Sequence, residues 1–235
     1  MEGEALKQKK LVILLAVLLC LAGLGLLLYP TVSQWLNGLH QSEVVADYAG
    51  QAEDLDDEVA EHELRRAREH NDKLTTVPDP FLDQEALDNK DYDTLLNFTL
   101  EGVMAYVEIP SIDVLLPVYH GVGTDVLAKG IGHIPETSLP VGGESTHAVL
   151  VGHSGMSNAR LFTDLPELKV GDVFYVHVYN KTMTYTVDQI KTVLPSDTSD
   201  LTIVPGEDYV TLVTCVPVTV NSHRLLVRGI RTEDR

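Results

Sequence analysis

Cysteine is scarce in this 235-residue sequence, which contains only Cys20 and Cys215. Cys20 falls within a long apolar run near the amino terminus, whereas Cys215 follows a strand-like segment near the carboxyl end. A cysteine inside a membrane cannot reach a strand of a folded domain to form a bridge, so no disulfide is expected. One unpaired thiol in an extracytoplasmic protein favours a reactive role for Cys215.

Basic residues are also few, with 17 Lys and Arg against 35 Asp and Glu, which gives a formal net charge of −18. Such a surface repels polyphosphate backbones, so nucleic acid is excluded as a candidate partner. The acidic run over Glu53–Glu63 lacks the glycine turn and alternating oxygens of a calcium loop. It indicates a solvated helical face, and no metal is assigned to it.

The longest apolar run is Leu11–Leu28, which is about long enough to cross a bilayer as a helix. Lysines at positions 7, 9 and 10 precede it, and the next basic residue is Arg65. The positive-inside bias therefore predicts a single-pass anchor with a cytoplasmic amino terminus and an extracytoplasmic remainder. A cleaved signal peptide is the alternative, but the run is long for one and lacks a clear small-x-small site after it.

The rest of the chain has no internal repeat and no glycine/serine linker. We predict three segments: a tail and anchor over 1–40, a helical stalk with a proline-containing segment over 41–98, and one folded domain over 99–235. The stalk, which includes a weakly amphipathic helical pattern over 43–73, is rich in Ala, Glu, Leu and Arg. Another helical turn or two is predicted within 83–97.

The last segment contains many short β-branched runs with no regular helix between each pair, which is typical of a closed antiparallel or mixed β-barrel. Short helices are predicted at Asp125–Lys129 and Asn158–Leu165. The predicted strands are Gly102–Pro110, Ile112–Tyr119, His147–His153, Val173–Tyr179, Met183–Val193, Tyr209–Cys215 and His223–Arg231.

Three residues form a candidate catalytic site. Cys215 ends one strand and Arg224 begins the next, so a short loop brings them close together. His153 stands where an apolar strand breaks into a glycine-containing loop, a usual place for a general acid or base. From spacing alone, other interpretations stay open: Cys215 as a small buried hydrophobe, Arg224 as an ordinary surface residue, and His153 as one of nine histidines.

The sequences of several segments resemble those of the sortase family, and most of all those of class C, the pilus-assembling subgroup. The resemblance is carried by THAVLVGHSG, ARLFTDL, TLVTC and NSHRLLVRG, and covers roughly residues 75–231 in order. It implies a sortase β-barrel in which Cys215 is the nucleophile, His153 the general acid and base, and Arg224 the group that steadies the oxyanion or the peptide.

The resemblance also gives meaning to Asp79–Pro80–Phe81, which is similar to the lid motif of class C sortases. By that resemblance Asp79 would face Cys215 or Arg224, and Phe81 would plug the cleft until substrate competes. The alternative is a simple proline linker whose aspartate caps a helix. Departures from the subgroup lie beside the groove: Ser154 stands where arginine is common, and Val216, Val218 and Thr219 follow the cysteine where a Thr-Pro-Tyr-Gly run is usual.

The implied activity is transpeptidation. The enzyme would cleave LPXTG-like sorting signals between Thr and Gly through a thioester and join pilin subunits through a lysine amine. Two alternatives remain: a sortase that anchors surface proteins to a peptidoglycan amine of a Gram-positive cell wall, and a non-catalytic module that holds sorting peptides. The implied partners are pilin or surface-protein substrates and the membrane.

Overall fold

The computed structural model describes residues 2–77, 80–82, 89–99 and 101–232. Three α-helices and eight strands make up these ranges, with short 3-10 turns between some of them. The helices are α1 (Glu2–Glu53), α2 (Asp57–Leu74) and α3 (Thr124–Leu127). The strands are β1 (Val103–Ile109), β2 (Val114–His120), β3 (Ile131–His133), β4 (Thr146–Val151), β5 (Val173–Val178), β6 (Lys181–Val193), β7 (Asp208–Val216) and β8 (His223–Arg231).

The strands close into a barrel in the order β1-β2-β3-β4-β7-β8-β6-β5. The β2–β3 and β4–β7 pairs are parallel and the remaining pairs antiparallel, so the barrel is mixed. Closure leaves no long unpaired edge, which suits strands rich in β-branched residues. The predicted closed barrel is confirmed.

The barrel interior is filled by residues that alternate along each strand with outward-facing ones. Leu150 on β4, Leu212 on β7 and Val227 on β8 are fully buried in this core, together with Phe174 and Tyr185. The intervening residues of β4, β7 and β8 point to the outer face. This alternation decides which side chains of the three strands can reach a common surface site.

The first two helices pack against the barrel rather than standing clear of it. On α1, Tyr48 is buried, donates a hydrogen bond to the carbonyl of Met104 (3.1 Å) and accepts one from the amide of Tyr179 (2.9 Å). On α2, Asn71 is buried and forms two hydrogen bonds with the backbone of Leu139 (3.0 and 2.7 Å).

Within the described chain, α1 is also the one helix long and apolar enough to cross a membrane, judged by length and composition.

Three local predictions need correction. The 43–73 pattern was expected to be only weakly amphipathic, yet α2 buries Ala60, Leu64 and Ala67 against the barrel, because two alanines and one leucine suffice for close helix packing. The predicted helix at Asn158–Leu165 is wrong: the segment is a series of turns followed by a 3-10 turn at Leu165–Glu167. The sequence prediction also missed β3.

The helical turn predicted within 83–97 falls partly outside the described residues, since 83–88 are not described. In the described part of that segment, the helical structure is a single 3-10 turn at Tyr92–Thr94. Tyr92 is buried there and donates a hydrogen bond to the carbonyl of His133 (3.2 Å). This hydrogen bond therefore anchors the chain that leads into β1 to the end of β3.

Candidate active site

The antiparallel β7–β8 ladder places Cys215 directly opposite Arg224. Side chains of directly paired residues lie on the same face of a sheet, about 5 Å apart at their Cβ atoms. Both residues are half-buried, so thiol and guanidinium are accessible from the outer face of the barrel. A cation held beside a thiol favours negative charge on sulfur and on an oxyanion formed near it.

His153 reaches the same place from β4. In the parallel β4–β7 pair, Val151 is partnered with Val213, so two residues further along each chain His153 comes level with Cys215. Neighbouring strands lie about 4.8 Å apart. The structure thus brings together Cys215, Arg224 and the histidine at the end of β4, the three residues selected from the sequence.

Three hydrogen bonds keep the chain around His153 beside β7. The amide of Gly152 donates to the carbonyl of Val213 (3.0 Å), and the buried hydroxyl of Thr214 donates to the carbonyl of Gly152 (2.8 Å). The hydroxyl of Ser154 donates to the carbonyl of Cys215 (2.6 Å). The residues on both sides of His153 are therefore tied to β7.

The guanidinium of Arg224 is also held by its surroundings. Its Nη1 donates to the carbonyls of Asn221 (3.2 Å) and His223 (3.1 Å), both in or next to the loop between β7 and β8. Among the described residues, acceptors are found for Nη1 alone. Arginine carries five N–H donors, and these two bonds use Nη1 alone.

The two loops that flank the site touch each other at Gly155. Its φ is +69°, a backbone conformation that residues with a side chain rarely adopt. A Cβ added there would lie 2.3 Å from Cγ1 of Val218. Glycine is therefore required for the His153 loop to close against the β7–β8 loop. This contact joins the two loops that flank Cys215 and His153.

An apolar surface leads from the three residues along the outer face of the barrel. We call it the outer cluster: Val149, Leu201, Val213 and Leu226 are buried in it, and Phe81, Ile134, Val151 and Val193 pack against it half-buried. Val151, Val213 and Leu226 each lie two positions from His153, Cys215 or Arg224, on the same face of their strands. The cluster is therefore an apolar floor that ends at the polar site.

The proposed lid residues are only partly described. Asp79 lies outside the described residues, so its predicted contact with Cys215 or Arg224 stays a prediction. Pro80 is buried and lines a cavity of about 450 Å³ with Leu74 and Ile203. Phe81 packs half-buried on the outer cluster, and its predicted role in closing the cleft stays a prediction.

The other barrel histidines have structural partners. His147 is buried, with Nδ1 2.9 Å from the carbonyl of Thr202 and Nε2 2.7 Å from the hydroxyl of Thr211. Burial lowers the pKa of His147 to about 4 and that of His133 to about 3, so both are neutral at pH 7. His223 precedes Arg224 on β8 and so faces the opposite side of the strand.

The sequence interpretation missed the roles of two hydroxyls, Thr214 and Ser154, in fixing the His153 loop. In the sequence, Ser154 stands out only as a departure from the subgroup. A signal existed for Ser154, because a small hydroxyl residue beside the histidine can reach the backbone of the neighbouring strand. Its partner depends on the parallel β4–β7 pairing.

Comparison with known proteins agrees with this geometry. A family model described as the sortase domain matches residues 107–232. Sortase A of Bacillus anthracis is 32% identical over 151 residues, which cover 63% of this chain and 70% of that protein. The chain therefore belongs to the sortase family, whose members are cysteine transpeptidases.

Solved structures identify the subgroup that it resembles. Sortase C1 of Streptococcus agalactiae is 42% identical with a TM-score of 0.74, and the match covers 82% of this chain and 100% of that one. Sortase C of Streptococcus pneumoniae, whose structure is described in terms of pilin substrate specificity, is also 42% identical. Its TM-score is 0.73, over 81% of this chain and 97% of that one. These structural neighbours are class C sortases.

Proposed function

We propose that this protein is a membrane-anchored transpeptidase that cleaves LPXTG-like sorting signals between Thr and Gly and joins pilin subunits through a lysine amine. The observation that carries the proposal is the convergence of Cys215, Arg224 and His153 at the end of the outer cluster. An apolar floor that ends in a nucleophile, a cation and an imidazole suits a short peptide with apolar and small residues.

The reaction proceeds in two acyl transfers. The thiolate of Cys215 attacks the threonine carbonyl carbon, the C–N bond to glycine breaks, and His153 gives its proton to the leaving amine. A lysine amine then attacks the thioester carbonyl, the C–S bond breaks, and His153 takes the proton from the attacking nitrogen. Imidazole suits both steps because it exchanges protons near neutral pH.

Arg224 stabilises the charge that develops on the carbonyl oxygen in both steps. Its Nη1 is fixed by the carbonyls of Asn221 and His223, so the guanidinium needs little reorganisation when the oxyanion forms. The reaction needs only these side chains and the two peptides, and the proposal includes no cofactor or metal.

The lid interpretation supports the pilin assignment. Phe81 lies on the outer cluster, which a sorting peptide must use, so substrate and Phe81 compete for the same apolar surface. Asp79, two positions earlier, belongs to the same proposed lid. The class C structural neighbours support a pilin lysine as the nucleophile over a peptidoglycan amine.

Membrane anchoring is supported by the composition of α1. Its apolar run Leu11–Leu28 is exposed throughout except for half-buried Gly23, as a lipid-facing helix requires. The lysines before it predict a cytoplasmic amino terminus and an extracytoplasmic barrel. Substrate and enzyme would then share one membrane surface.

The test is mass spectrometry of the full-length protein after incubation with an LPXTG-type peptide, with and without a pilin-derived lysine peptide. We expect an adduct on the wild-type protein, absent from Cys215→Ala, that the lysine peptide converts into a joined product. An adduct resolved only by a peptidoglycan-type amine would assign the protein to wall anchoring. Absence of any adduct, even after Phe81→Ala, would favour the peptide-binding module.

A further inference from the structure

The membrane-proximal part of α1 contacts the loop that begins at His153. Gln34 Nε2 donates a hydrogen bond to the carbonyl of Met156 (3.3 Å), and Asn37 Nδ2 donates one to the carbonyl of Asn158. Residues three apart lie on one face of a helix, so the two amides form a single contact surface. Gln34 is six residues beyond the apolar run, about 9 Å along the helix axis.

This contact is polar. Among the α1 side chains described from residue 9 onward, none before Gln41 is buried, whereas Val44, Val45 and Tyr48 further along are buried against the barrel. A crevice of about 410 Å³, lined in part by Trp35, separates the helix from β2 and the chain near residue 160. Apolar packing therefore does not fasten this end of α1, and the two amides make the described polar contacts with the His153 loop.

Within the His153 loop the barrel provides anchors of its own: Ala159 is buried in the core, Met156 packs against it, and the amide of Gly155 donates to the hydroxyl of Thr163 (3.0 Å). The amide of Phe162 donates to the carbonyl of His153 (3.0 Å), and Phe162 is fully buried. Between these two positions the loop tip is exposed or half-buried at residues 155–158, and Gln34 and Asn37 bind there. The barrel therefore holds the loop, and α1 adds two hydrogen bonds, to the carbonyls of Met156 and Asn158.

We propose that Gln34 and Asn37 are positioning residues for the reaction, acting through the His153 loop. They hold the loop tip so that the imidazole stays level with the thiol of Cys215, and they thereby couple the membrane helix to the active site. The inference rests on the proposed function for its kinetic consequence. The hydrogen bonds themselves are independent of it.

The test uses the full-length protein in lipid nanodiscs with the double variant Gln34→Glu/Asn37→Asp. Each change keeps the side-chain shape but replaces an N–H donor with an oxygen that faces a backbone carbonyl. Gln41→Glu is the matched control, since Gln41 donates a similar bond from the same helix to the carbonyl of Lys129, outside the His153 loop (3.3 Å). Steady-state transfer to the lysine peptide and hydrogen–deuterium exchange of residues 154–161 are measured for each.

We expect kcat of the double variant to fall about tenfold with KM changed less than twofold, because displacement of a catalytic group slows the chemical step while the outer cluster still binds peptide. Amide exchange over 154–161 should rise in the double variant and stay at the wild-type rate in Gln41→Glu. The pH–rate profile of the double variant should also change if the imidazole has moved.

Unchanged kcat in the double variant, or an equal fall in Gln41→Glu, would overturn the positioning role. Unchanged exchange over 154–161 would overturn the contact itself. If the wild-type protein forms no thioester with any peptide, the proposed function fails, and the exchange measurement alone then decides whether α1 holds the loop.

Discussion

Cys215 and Arg224 are direct cross-strand partners, with the β7–β8 turn between them. The pairing fixes thiol and guanidinium on one face without relying on a mobile loop, and the β4–β7 register adds His153 from a third element. Because β4 and β7 are parallel, the carboxyl ends of both strands meet at the same edge of the barrel. The pairing of β4, β7 and β8 thus sets the relative positions of the three side chains.

Arg224→Ala should lower kcat/KM for transfer by about 10²- to 10³-fold, because a fixed donor to the developing oxyanion is lost. Arg224→Lys should recover only part of this, since an ammonium lacks the fork of the guanidinium. Transfer kinetics with the lysine peptide measure both. His223→Ala is the control, as that side chain lies on the opposite face of β8, and an equal loss in that variant would contradict the assignment.

Phe81→Ala should make the thiol of Cys215 react about fivefold faster with an alkylating reagent. The ring is half-buried on the outer cluster, and removing it takes away about 1 kcal/mol of apolar burial that holds the segment on the groove. Alkylation rates measured by mass spectrometry provide the test.

Leu82→Ala is the matched control for that experiment, because Leu82 is the next residue and is 84% exposed. Its alkylation rate should equal that of the wild-type protein. Equal rates in all three proteins would show that Phe81 does not shield the site.

Much of this arrangement could be predicted from residue patterns. The β-branched run before Cys215 and the turn after Pro217 indicate two adjacent strands, and seven of the eight strands follow from similar patterns. β3 was missed because Ile131–His133 has only three residues between glycines and loops, too few for a periodic signal. It forms because β2 and β4 pair with it from either side.

The contacts that hold the site could not be predicted in the same way. The bond from Ser154 to the carbonyl of Cys215 joins residues 61 positions apart, and the bond from Gln34 to Met156 joins residues 122 apart. Neither residue shows a periodicity that identifies its partner. Only the closed barrel and the docking of α1 bring these atoms together.

Thr214→Val should destabilise the barrel by about 1 to 2 kcal/mol and also slow transfer. Valine matches threonine in shape, but the buried carbonyl of Gly152 loses its donor from Thr214. Since that carbonyl directly precedes His153, kcat should fall more than KM rises. Chemical unfolding and steady-state kinetics measure the two effects, and a variant with wild-type stability would contradict the structural role of this hydroxyl.

His147 should make the protein less stable as the pH falls from about 6.5 to about 4. Burial lowers the pKa of His147 to about 4, whereas an unfolded histidine titrates near 6.5, so in this window the unfolded state binds more protons. Stability then falls by up to about 1.4 kcal/mol for each pH unit. The cause is burial, which disfavours the charged imidazole; Nδ1 donates to the carbonyl of Thr202, and that bond opposes the shift only in part.

The measurement compares wild-type protein and His147→Gln by chemical unfolding at pH 7 and pH 5, followed by near-ultraviolet circular dichroism. The wild-type free energy of unfolding should fall by about 1 to 2 kcal/mol more than that of the variant. Other buried histidines, including His133, are present in both proteins and cancel in the difference. His40→Gln, an exposed change on α1, controls for the substitution itself. If both proteins lose the same free energy between the two pH values, His147 is not the group that limits acid stability.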